Sequence, residues 1–89
     1  MISEHDKRAI ETLARKYKAK RVLLFGSALS SHAESRDIDI AVEGVPDELF
    51  FTFYGELMRV LSKPVDVVDL SRPSRFTELI LAEGELLYA

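Results

Sequence analysis

Apolar positions repeat along this chain with two periods, and the switches between them mark out its elements. Ile10, Leu13, Ala14 and Tyr17 recur at helical spacing and form one narrow apolar face. Ahead of them, Ser3-Glu4-His5-Asp6 reads as a variant capping box, with Ser3 accepting from early amides and Asp6 favourable in the first turn. That helix is expected to end near Lys18. Arg21-Val22-Leu23-Leu24-Phe25 is apolar on both faces, as suits a strand inside a sheet, and Gly26-Ser27 breaks it. Residues 28–36 are small and polar, a turn of helix or a loop. Asp37-Ile38-Asp39-Ile40-Ala41-Val42 then alternates cleanly, turning Asp37, Asp39 and Ala41 to one face and Ile38, Ile40 and Val42 to the other.

Gly44 and Pro46 mark a turn, and a second helix is predicted from Pro46 or Asp47 to about Leu61. Leu49, Phe50, Phe53, Tyr54, Leu57, Val60 and Leu61 fill one arc of it, a core face. A third strand runs from Val65 to Leu70. Phe76, Leu79 and Ile80 give a short third helix closed by Gly84, and Glu85 to Tyr88 form a final strand. The order α-β-(short α)-β-α-β-α-β predicts an α/β fold, a small mixed sheet flanked by helices.

Composition narrows this picture. A chain of 89 residues has room for a single domain over 1–89, and 47% hydrophobic with 30% charged residues excludes a disordered tail or low-complexity array. The lack of Cys removes disulfides and thiolate zinc sites. No apolar run approaches the ~20 residues of a spanning helix, and the first residues lack the order of a signal peptide, so a cytoplasmic protein without membrane association is expected. A net charge of -3 gives no electrostatic footprint for nucleic acid, and direct nucleic-acid binding is not expected.

The candidate chemistry is concentrated in three places. Gly26-Ser27 ends a buried strand where backbone amides and a hydroxyl can receive an anion, and Gly allows close approach. Asp37 and Asp39 lie on one strand face, roughly 7 Å apart along it. Asp66, near the start of the third strand, joins them if the strands are neighbours. Two carboxylates about 4 Å apart repel by roughly 4 kcal/mol at an effective dielectric near 20, so such a cluster calls for a cation. Oxygen ligands of this kind suit Mg²⁺.

Leu23-Leu24-Phe25-Gly26-Ser27, then nine residues, then Asp37-Ile38-Asp39-Ile40-Ala41-Val42, resembles the signature of the DNA polymerase-beta-like nucleotidyltransferases. Pro64-Val65-Asp66-Val67-Val68-Asp69-Leu70 resembles their third-carboxylate strand. The ending, Ile80-Leu81-Ala82-Glu83-Gly84-Glu85-Leu86-Leu87-Tyr88, is similar to the minimal (MNT-type) branch, often paired with HEPN-domain proteins in toxin–antitoxin systems. The resemblance implies a polymerase-beta palm-like fold. It implies that Gly26 and Ser27 hold the phosphates and that Asp37 and Asp39 bind two Mg²⁺ ions with ATP. Asp66 would complete the second metal site and help activate the acceptor hydroxyl. The implied activity is transfer of AMP to a hydroxyl of a HEPN partner.

The family commonly has Arg and Gly after Gly-Ser, whereas Ala28-Leu29-Ser30-Ser31 has neither, and Arg36 stands where Ser is common. That departure sustains an alternative: a catalytically degenerate antitoxin or binding module that acts by contact. Phe51 and Met58, seven apart and just outside the core arc of the second helix, are its candidate contact patch. His5 and His32 are isolated and read as solvated. Arg15, Lys16, Lys18, Lys20 and Arg21 suit a helix C-terminus, and they enter the first strand over 10 Å from where Gly26 leaves it.

Overall fold

The computed structural model describes residues 2–26 and 36–89. Ser27, His32 and the stretch after Ser27 lie outside the described residues. The chain runs α1 (Glu4–Lys16), β1 (Arg21–Phe25), β2 (Ile38–Glu43), α2 (Asp47–Val60), β3 (Val65–Asp69), α3 (Arg75–Glu83) and β4 (Glu85–Tyr88). The strands form one sheet in the order β3-β2-β1-β4. β1 pairs antiparallel with both β2 and β4, while β2 and β3 are parallel, as the intervening α2 requires. The mixed α/β sheet is the architecture the sequence predicts.

Strand alternation sorts the side chains into two unequal layers. Val22, Leu24, Ile38, Ile40, Val42 and Val65 bury against Ile10, Leu13 and Ala14 of α1 and Phe53 and Leu57 of α2. On the other face Leu23, Ala41 and Leu70 bury against Ile80 of α3, with Phe25 and Val68 packed beside them. Among the described residues, two helices therefore cover one face, and a single short helix covers part of the other. The polar positions Asp39 and Asp66 lie on this second face.

The helix ends follow local chemistry. Ser3 Oγ accepts from Asp6 N at 3.2 Å, as the capping pattern predicts. Ser74 and Thr77 form a reciprocal capping box that starts α3, and Gly84 ends it with its amide donating to Ile80 O at 2.7 Å. Asp6 itself is more than a favourable first-turn charge. It is buried and accepts from both Ser62 N, at 3.0 Å, and the Ser62 hydroxyl, joining α1 to the end of α2. Burial would push its carboxyl up, but the bonds from Ser62 and Ser3, with help from His5, hold it below the usual value.

The predicted core arc of α2 is too wide. Phe53, Leu57 and Leu61 are buried, but Leu49 and Val60 are 39% and 44% exposed: at about 3.6 residues per turn both fall at the same flank of the arc, outside Phe53. In α3, Ile80 is buried while Phe76 and Leu79 remain half exposed. The basic cluster is partly engaged in structure: Lys16 pairs with Glu56 at 2.9 Å and Arg21 with Glu43 at 2.6 Å. Among the described residues no helix is long and apolar enough to cross a membrane.

Candidate active site

Gly26 follows the last residue of β1 with φ at 75°, a conformation that side chains disfavour. A Cβ there would collide with Asp39 Oδ2 and stand 3.2 Å from Asp39 Cγ. The glycine thus permits both the turn and direct seating of the Asp39 carboxylate against the backbone. Phe25 is the register partner of Asp39 across the antiparallel pair, which fixes how the Gly26 turn meets β2.

The parallel pair supplies the next member. Asp39 of β2 is the register partner of Asp66 of β3, and Ile38 N donates to Pro64 O at 2.8 Å to anchor this alignment. Alternation turns both carboxylates to the face that α3 only partly covers, with Asp37 on the same side at the entry to β2. The sequence made Asp66's place conditional on the two strands being neighbours, and they are. Asp69 belongs to the opposite face and accepts from Ser71 N at 2.9 Å, as expected of a strand-end residue.

Electrostatics register the crowding. Partial burial pushes the Asp39 carboxyl above its usual range, and the charges of Asp66 and Asp37 push it further. Among the described residues no three His, Asp or Glu side chains are gathered closely enough to hold a metal by themselves. The three carboxylates share a face and feel one another without closing a cage. Such a half-open oxygen set matches Mg²⁺, which keeps waters and takes one or two carboxylates plus substrate phosphates. Tyr54, a residue the sequence assigned to the core, reaches the same edge: its hydroxyl donates to Val65 O at 3.0 Å and lies 3.4 Å from Asp66 Oδ1. Its position at helical spacing from Phe50 and Leu57 gave no sign of that reach.

Residues 7–89 match the family model described as polymerase beta, nucleotidyltransferase. The chain belongs to this family. Solved structures agree with the assignment and narrow it to the MNT-type branch. The chain is similar to one in a crystal structure of a toxin–antitoxin with AMP-PNP, at 27% identity and a TM-score of 0.76, covering 93% of this chain and 73% of the other. It is similar to one in the MntA–HepT toxin–antitoxin, at 25% identity and a TM-score of 0.73, covering 98% and 73%. A third likeness, at 27% identity and a TM-score of 0.72, is to a chain in the complex of a tri-AMPylated Shewanella oneidensis HEPN toxin with an MNT antitoxin, covering 94% and 70%. No curated protein matches this nucleotidyltransferase-family chain.

Proposed function

We propose that this nucleotidyltransferase domain transfers AMP from ATP to a hydroxyl of a HEPN-type partner protein in the cytoplasm, and so acts as its antitoxin. The observation that carries the reading is the meeting of Asp39, seated on Gly26, with Asp66 in register beside it and Asp37 on the same face. Burial first, and then the charges of Asp66 and Asp37, raise the Asp39 carboxyl, and a divalent cation bound among these carboxylates offsets their mutual repulsion. Asp37 and Asp39 would hold Mg²⁺, and Asp66 would complete a second site. Bound Mg²⁺ neutralises triphosphate charge and stabilises the attacking and leaving oxygens.

The remaining work falls to groups of the chain. Gly26, with Ser27, receives the phosphates through backbone amides. Asp66, exposed on the edge strand β3, takes the proton of the incoming hydroxyl as the oxygen attacks the α-phosphorus. The bond to the β-phosphate breaks and pyrophosphate leaves. The relatives' complexes with AMP-PNP and with an AMPylated HEPN toxin support the choice of nucleotide and partner.

Incubating the domain with its co-purified partner, Mg²⁺ and labelled ATP tests this reading. Label should enter the partner with wild type and be lost with the Asp37→Asn/Asp39→Asn double variant. Undiminished transfer in the double variant overturns the assignment.

A second reading, neutralisation by contact alone, draws on Phe51 and Met58, which are 82% and 60% exposed on α2. It gains ground if neutralisation survives Asp37→Asn and fails with Phe51→Glu.

A further inference from the structure

The two register partners Asp39 and Asp66 are unequally supported. Asp39 lies on β2, between β1 and β3, partly buried and seated against Gly26. Asp66 lies on the edge strand β3 and is exposed. Beside it stands the Tyr54 hydroxyl, which donates to Val65 O at 3.0 Å and lies 3.4 Å from Asp66 Oδ1. We propose that Tyr54 is a positioning residue for Asp66, holding Oδ1 so that the carboxylate keeps one orientation, an inference that rests on the nucleotidyltransferase reading above.

The hydroxyl is delivered by a fixed ring. Tyr54 packs against the core under α1 and α2 and meets Phe50 edge to face at 6.4 Å. With its torsions set by that packing, the hydroxyl has a defined place at the strand edge. Backbone alternation gives it a partner there. Pro64 O accepts from Ile38 N and Leu70 N donates to Val42 O, so the even-numbered residues from Pro64 to Leu70 turn their peptide groups to β2. The Val65 carbonyl points the other way, off the sheet, and Tyr54 meets it.

One hydroxyl thus spans two consecutive residues, the backbone of Val65 and the side chain of Asp66. Its single proton lies between two acceptors, as in a three-centre bond. The ionised carboxylate accepts at Oδ1 and keeps Oδ2, which has no hydrogen bond among the described residues, for a cation or an acceptor's proton. The core does not need this hydroxyl. Tyr54→Phe fills the same space and leaves the Val65 carbonyl to water at the exposed edge, at little cost. What it loses is the hold on Asp66, and reacting groups displaced by about 1 Å can cost about a hundredfold in rate.

The test compares wild type and Tyr54→Phe as the full chain. Without metal or nucleotide, three-bond couplings measured by nuclear magnetic resonance read the Asp66 side-chain torsion. Wild type should show one rotamer and Tyr54→Phe an average of several, with Asp39 alike in both. With Mg²⁺, ATP and the partner, Tyr54→Phe should lower kcat roughly tenfold, the worth of one hydrogen bond to a charged group. KM for ATP and the melting temperature should stay at wild-type values, since Gly26, Asp37 and Asp39 hold the nucleotide. Averaging already present in wild type, or Asp66 couplings untouched by the variant, overturns the proposal. An undiminished kcat overturns it too. So does a fall in kcat matched by a higher KM and a lower melting temperature, since the change then acts through the fold. A wild type that labels no partner marks failure of the nucleotidyltransferase reading, and the couplings then decide the role of Tyr54 by themselves.

Discussion

Two aspartates in this chain respond oppositely to the fold, and each has its own signature in stability. Asp39 is pushed up by burial and by Asp66 and Asp37, so its contribution is fully present below the ordinary carboxyl value of 3.8 and lost as pH rises through the raised folded value. Metal-free Asp39→Asn should therefore match wild type in strongly acid solution and melt higher than wild type near neutrality, as read by calorimetry across pH. Asp6 runs the other way. Burial opposes its ionised form, but Ser62, Ser3 and His5 outweigh burial and hold the carboxyl down. Its contribution is present above the ordinary value and lost as pH falls through the lowered folded one. Asp6→Ala leaves Ser62 N and its hydroxyl without their buried partner and should cost about 1–3 kcal/mol in denaturant unfolding near neutral pH. The same variant should differ less from wild type in acid.

Single elements carry the next level of consequence. The turn after β1 depends on Gly26, which combines a positive φ with contact against Asp39. Gly26→Ala should destabilise by about 1–2 kcal/mol from backbone strain and should also displace the Asp39 carboxylate, so Mg²⁺-dependent nucleotide binding should fall further than thermal stability does. A variant that loses stability alone would detach the glycine from the site. Much of this was legible beforehand: the alternation of residues 37–42 put both acids on one face, and Gly26 was marked as a place of close approach. Which strand would lie beside β2 was not legible, because alternation fixes a strand's faces and says nothing of its neighbours. Asp6 was undervalued although it stands four residues before Ile10 on the same helical face, where a polar residue amid an apolar stripe signals a buried partner. Leu49 and Val60 misled for a different reason: both sit at one flank of the helical wheel, where an apolar residue marks the margin of the core and not its middle.

Across the whole molecule, the two sheet faces divide their tasks. The face under α1 and α2 carries the larger core, and the other, only partly covered by α3, presents the acids and an apolar pocket between β1 and α3. Phe51 and Met58 point away from both, from the outer side of α2. The Phe51→Glu/Met58→Glu variant should keep the wild-type melting temperature, because neither side chain is buried, and should lose the partner in co-purification if α2 is the contact surface. Retained partner would exclude that patch. The in-register parallel pairing of β2 and β3 has one more consequence, for tolerance to insertion and deletion. Asp39 and Asp66 meet by pairing and not by their distance along the chain. Residues added to the connections around α2 can lengthen that distance and leave the acids together, whereas one residue slipped within β3 turns Asp66 to the opposite face. Lineages of this fold are therefore free to drift in the length between their acidic strands but not in the alignment of those strands.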